Sequence, residues 1–157
     1  MMKKYPFAFL VCALLAGGCK QDAPCTQTTI TTAAPESEVT TLKQYIEANH
    51  IPAKADKRGF YYVIQSPGKG AKPTVCDNVT VNYAGKLTNG KTFDSASGIS
   101  FGLNQLIVGW QEGIPLVAPG GSITLYLPPS LAYGSQEQNE IPANSILVFT
   151  IDLVGIN

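Results

Sequence analysis

The sequence predicts an α+β domain in which an antiparallel β-sheet wraps one short α-helix, with a second short helix ahead of it in the chain. Three observations carry this. Beyond Arg58 apolar residues alternate over four separate segments, the period of strands with one buried face. Pro67-Gly68, Asn89-Gly90, Pro119-Gly120-Gly121 and Pro128-Pro129 break the chain between segments, and Asn89-Gly90 is the strongest hairpin signal. Helical spacing is confined to a stretch after Ser37 and another from Gly109 to Val117. The 157 residues suffice for one domain. Eleven basic and eleven acidic side chains leave no cationic surplus to neutralise phosphates, so a nucleic-acid partner is excluded. No internal repeat is present.

Residues 1–18 read as a signal peptide. Lys3 and Lys4 precede an uncharged, mostly apolar run from Tyr5 to Gly18. That run is shorter than the roughly 20 residues a membrane-spanning helix needs. It closes on Leu15-Ala16-Gly17-Gly18-Cys19, small residues running into a cysteine, which resembles a bacterial lipobox with its Leu one place early. Cys19 is therefore expected to carry lipid and to anchor the chain to a bacterial membrane, the outer membrane being the expected one, facing the periplasm or the cell exterior. Cleavage before Cys19 removes Lys3 and Lys4, leaving nine basic groups against eleven acidic ones. Cys12 leaves with the leader, so Cys25 and Cys76 remain in a compartment where disulfides persist; they can pair or stay apart. His50 is the only histidine and no cysteine pair has metal-ligand spacing, so neither metal nor cofactor is expected.

Residues 19–36 hold the lipidated Cys and a Thr- and Ala-rich polar tether, with a root-mean-square span of roughly 20–25 Å as a flexible coil. Residues 37–58 form a helical lead-in: Ser37 is placed to cap a helix whose Val39, Leu42, Tyr45 and Ile46 share one face, and His50 and Ile51-Pro52 end it. The apolar stripe is expected to pack on the domain or on a second copy. In the domain, 59–157, the alternating sets are Phe60, Tyr62 and Ile64; Val79, Val81 and Tyr83; Ile123, Leu125 and Leu127; and Leu147, Phe149, Ile151 and Leu153.

Familiar reactive constellations are missing. Ser97 and Ser130 have no nearby His, Gly120-Gly121 has no following Lys, and the acids are scattered. What remains is an aromatic set at strand ends and loop edges, Tyr83, Phe93, Phe101, Trp110, Tyr133 and Phe149, with Asp94 embedded beside Phe93. Taken alone it is a core with a polar edge or a pocket lining.

Five blocks decide between them: Val81-Asn82-Tyr83-Ala84-Gly85, Asn89-Gly90-Lys91-Thr92-Phe93-Asp94-Ser95, Leu106-Ile107-Val108-Gly109-Trp110-Gln111-Glu112-Gly113, Leu131-Ala132-Tyr133-Gly134, and Ile141-Pro142-Ala143-Asn144-Ser145-Ile146-Leu147-Val148-Phe149. Their order and spacing resemble the FKBP-type peptidyl-prolyl cis-trans isomerases from about Gly59 to Ile156. The stretch from Phe101 to Ile107 looks most like the secreted bacterial branch, similar to the macrophage infectivity potentiator proteins. The resemblance implies a sheet half-wrapped around the helix and a substrate proline held between them. It implies Trp110 as pocket floor and Tyr83, Phe93, Phe101, Leu106, Ile107 and Phe149 around it. It further implies the Ile107 backbone N–H donating to a substrate carbonyl, Asp94 close to the twisting imide, Tyr133 donating from the flap, and Ile141 covering the open side. Whether Ile99 or Phe101 forms the upper wall stays open. The flap from Gly134 to Ile141 is polar and mildly acidic where many relatives carry Gly and Pro. The partners implied are proline-containing peptides and unfolded envelope proteins, with macrolide immunosuppressants as inhibitors; a non-catalytic proline-binding or chaperone module is the alternative on the same fold.

Overall fold

The computed structural model describes residues 25–26 and 30–157. The expected signal segment 1–18 and the expected lipidation site, Cys19, lie outside them. The order of elements is α1 (Glu36–Ala48), β1 (Lys54–Ala55), β2 (Tyr61–Ser66), β3 (Asn78–Leu87), β4 (Thr92–Gly102), α2 (Val108–Gly113), β5 (Gly121–Leu127) and β6 (Leu147–Ile156). All six strands form one antiparallel sheet in the order β1-β2-β5-β6-β3-β4, and α2 packs on it.

Helix α1 begins earlier than Ser37. Pro35 takes the N-cap place in extended conformation, and its carbonyl accepts the N–H groups of Glu38 and Val39 at 3.0 and 3.1 Å. Ser37 makes no cap bond; it lies in the first turn, where its carbonyl accepts the Thr41 hydroxyl. The physical reason is that Pro35 has no N–H to satisfy and a preset φ, while Glu36 and Glu38 put negative charge at the helix's positive end. At the other end His50 has φ 51 and donates to Glu47 O, and Ile51 donates to Ile46 O, so His50 terminates the helix in a Schellman arrangement. Leu42 and Ile46 are buried by this chain itself, and Glu38 Oε2 accepts the Ser130 N–H at 2.8 Å. The stripe packs on the domain.

Of the four alternating segments, two bury their whole apolar set and a third buries all of it but Tyr83, which is half-buried. Val79 and Val81, then Ile123, Leu125 and Leu127, then Leu147, Phe149, Ile151 and Leu153 are all in the core. The first segment departs. Phe60 is fully buried, but Ile64 is 38% exposed, because β1 pairs β2 only at Tyr61 and Tyr62 and leaves the rest of β2 as an open edge. The Asn89-Gly90 hairpin joins β3 to β4 through a Leu87 N–H bond to Lys91 O. β4 runs on to Gly102, broken by irregular register against β3 near Tyr83 and Gly85.

The expected helix 109–117 is α2 followed by a 3₁₀ turn, Ile114–Leu116, since Pro115 cannot continue the α-helical ladder. Gly109 and Gly113 face β5. A Cβ at Gly113 would lie 2.5 Å from Leu125 Cδ1, and one at Gly109 would overlap Leu127, so two missing side chains let the helix lie down on the strand. This close approach sinks Trp110 into the core at 4% exposure.

Cys25 and Cys76 are paired, with Cα atoms 5.5 Å apart. Beyond that bond Ile30 is half-buried and the Ala34 N–H donates to Arg58 O at 2.8 Å, so these parts of the expected tether lie along the domain.

Candidate active site

Trp110 is the centre of an aromatic cluster built from four elements. Three rings meet it edge-on: Tyr83 of β3 at 5.0 Å, Phe149 of β6 at 5.3 Å and Phe101 of β4 at 6.2 Å between centroids. Such T-shaped contacts set the positive edge of one ring against the negative face of another. Above this floor is a cavity of about 190 Å³ lined by Tyr83, Asp94, Phe101, Leu106, Ile107, Trp110, Tyr133 and Phe149. Phe101 therefore takes the upper wall; Ile99 is 37% exposed and outside the lining.

Two of the expected residues stand apart. Phe93 and Ile141 line an adjoining recess of about 280 Å³ that shares Asp94 and Tyr133 with the first. Phe93 reaches the cluster indirectly, edge-on to Phe149 at 5.6 Å. A larger concavity, about 620 Å³, lies between the start of α1, the β3–β4 turn and residues 142–146; its lining has no aromatic ring.

The polar groups are few and directed. Tyr83 Oη donates to Asp94 Oδ2 at 2.7 Å. Burial, reinforced by that bond and by the carboxylate's charge, pushes the Tyr83 hydroxyl up to about 12, so it remains a donor. Tyr133 is also raised, first by burial and then by the charge of Asp94. Among the described residues the Ile107 N–H donates no hydrogen bond, whereas the Ile107 carbonyl accepts from Trp110 and Gln111. Gln111 Nε2 donates to Leu106 O at 2.6 Å, fastening the loop that carries Leu106 and Ile107 to the helix that carries Trp110. The buried Trp110 Nε1–H has no acceptor among the described residues. Within them no group of His, Cys, Asp and Glu side chains is arranged to hold a metal ion.

Gly85 is a site residue that the sequence reading did not include. It pairs with Asp94 on one side and Phe149 on the other, and a Cβ there would lie 2.6 Å from Phe93 and 2.8 Å from Phe149. Glycine inside an alternating strand is the signal that marks such a close approach.

The profile of the FKBP-type peptidyl-prolyl cis-trans isomerases matches residues 69–154. Among curated relatives, the chain is 40% identical over 120 residues to the FKBP-type peptidyl-prolyl cis-trans isomerase FkpA of Aeromonas hydrophila, covering 73% of this chain and 45% of that one. It is 46% identical over 120 residues to FkpA of Buchnera aphidicola subsp. Schizaphis graminum, covering 73% and 47%. The chain thus spans under half the length of these relatives. Among solved structures, FkpA from Escherichia coli superposes with a TM-score of 0.70 at 37% identity, over 77% of this chain and 60% of that one. A peptidyl-prolyl cis-trans isomerase from Pseudomonas syringae pv. tomato superposes at 0.68 and 29% identity, over 80% and 98%. The chain belongs to the FKBP-type peptidyl-prolyl cis-trans isomerase family.

Proposed function

We propose that this protein accelerates rotation about Xaa-Pro peptide bonds in unfolded proteins of the bacterial cell envelope. The observation that carries the reading is the Trp110-floored cavity, apolar on its walls and edged by a few fixed polar groups. A peptide C–N bond resists rotation by roughly 18–20 kcal/mol because resonance is lost at the twisted geometry. The planar amide is polar and well hydrated; the twisted one carries less charge on oxygen and a more localised nitrogen lone pair. A water-poor aromatic cavity therefore disfavours the planar ground state relative to the twisted form. Each ~1.36 kcal/mol of such preference is tenfold in rate. Proline is the fitting substrate because its cis and trans forms differ by only about 0.5–1 kcal/mol, so a lowered barrier serves both directions.

In this reading Trp110 seats the pyrrolidine ring, with Tyr83, Phe101, Leu106 and Phe149 around it. The Ile107 N–H and the Tyr133 hydroxyl orient the substrate backbone, and Asp94, held by Tyr83, places its charge near the imide. Phe93 and Ile141 border the adjoining recess, where the residues flanking proline pass. Macrolides that mimic a proline ring would compete for the same cavity. The leader and Cys19 support export and a lipid anchor in the outer membrane, and the Phe101–Ile107 stretch supports the infectivity-potentiator-like branch.

The deciding experiment measures cis/trans exchange of a proline tetrapeptide with purified protein. Acceleration over buffer is expected; a rate equal to buffer, with peptide binding retained, would leave a non-catalytic binding module. For the anchor, Cys19→Ala should shift the protein from the membrane to the soluble fraction. Unaltered fractionation would end the lipidation proposal.

A further inference from the structure

The recess beside the Trp110 cavity has a chemistry of its own. Besides Phe93, Asp94 and Tyr133 it is lined by Gln138, Asn139, Glu140 and Ile141, which makes two carboxylates, two carboxamides and no cation in its lining. Its outer lip is a tight turn closed by two reciprocal bonds, Gln138 N–H to Ile141 O at 3.0 Å and Ile141 N–H to Gln138 O at 2.8 Å, with Asn139 at φ 48. Glu140 is thereby carried on a pinned backbone. Its Oε2 already receives an ammonium group, Lys91 Nζ of the β3–β4 hairpin, at 3.1 Å, and both side chains are more than half exposed.

We propose that this recess selects substrates carrying a basic side chain next to proline, with Glu140 and Asp94 as its charge and Lys91 as the internal cation that the substrate displaces. The inference rests on proline seating at Trp110, since only then must a neighbouring residue cross the rim formed by Asp94 and Tyr133. An aliphatic neighbour gains Phe93 and Ile141. A Lys or Arg gains the same contact along its stem and sets its charged head among the carboxylates. A Glu meets like charge at the same place. Because Lys91 can swing into solvent when replaced, one exposed ion pair is exchanged for another and the selectivity is moderate and screened by salt.

The test measures kcat/KM by NMR exchange on peptides with Leu, Lys or Glu at either position flanking proline. At one of those positions Lys should exceed Glu by roughly three- to tenfold at low salt, and the ratio should shrink at high salt. Glu140→Gln should lower the ratio and Lys91→Gln, which removes the competitor, should raise it. An ion pair that merely steadies the turn would move both variants in the same direction. A Lys-to-Glu ratio near one at both positions, or parallel responses of the two variants, overturns the inference while an accelerated Leu peptide leaves the isomerase reading standing. A Leu peptide that is not accelerated overturns both.

Discussion

Tyr83 Oη donates a 2.7 Å hydrogen bond to Asp94 Oδ2, joining neighbouring strands at the edge of the cavity whose floor is Trp110. The bond fixes an otherwise exposed carboxylate in one place. Asp94→Ala should lower kcat/KM on a Leu-Pro peptide by roughly tenfold, the scale of one charge-assisted bond, with little change in melting temperature. Tyr83→Phe keeps the ring and frees the carboxylate, so its effect should be smaller. Wild-type rates for Asp94→Ala would remove Asp94 from the site.

Trp110 belongs to the core as much as to the cavity. Trp110→Ala should therefore cost about 3–5 kcal/mol of stability besides its activity, so its rate alone is uninformative. Trp110→Phe retains an aromatic floor in a smaller volume. It should fold and keep measurable turnover with a raised KM, read from chemical denaturation and NMR exchange together.

Gly85→Ala tests the packing beneath the site. The added methyl has to displace Phe93 and Phe149, both within 3 Å of its position, and a crowded core loses typically about 1–3 kcal/mol. A loss of that size with a fall in turnover is expected. Unchanged stability would mean the two rings shift freely and are not a fixed wall.

Glu112 on α2 is buried, with neither carboxylate oxygen hydrogen-bonded among the described residues and Arg58 Nε 3.7 Å away. Burial, only partly countered by Arg58, pushes its carboxyl from 4.5 up to about 7. The folded state then binds this proton more tightly than the unfolded one. Its stabilising contribution is complete below the unfolded value, declines as pH rises, and is gone above the folded value. Glu112→Gln should thus gain stability relative to wild type between about pH 4.5 and 7, by up to about 3 kcal/mol, and hold the gain at pH 8. Parallel stability profiles across that range would refute it.

Cys25–Cys76 closes a loop across 51 positions, which in the chain-entropy account stabilises by about 4 kcal/mol. Reduction, or Cys25→Ser, should lower the denaturation midpoint of the chain from Cys19 onward, with typical losses of about 2–4 kcal/mol. An unmoved midpoint would show that residues 25–35 unfold separately from the sheet.

The alternating sets in β3, β5 and β6 were legible because burial of one sheet face writes a two-residue period into the chain. The hairpin at Asn89-Gly90 was legible for an equally local reason. β1 was not, and of β4 only its start after the hairpin was, not its run to Gly102: both lie at the ends of the strand order and bury too little to alternate. The helix cap at Pro35 went unseen because a proline that needs no cap bond leaves no Ser- or Asp-like mark.

By itself, then, the sequence determined the α+β class, the strand and turn pattern and, through five motif blocks, the family. Tertiary structure alone decided the strand order, the choice of Phe101 over Ile99 for the cavity wall, the separation of Phe93 and Ile141 into a second recess, and the pairing of Cys25 with Cys76. The division has a physical basis. Periodicity and turn chemistry record each residue's local backbone and burial, whereas which rings meet over Trp110 depends on contacts between residues tens of positions apart, set only when the sheet closes over α2.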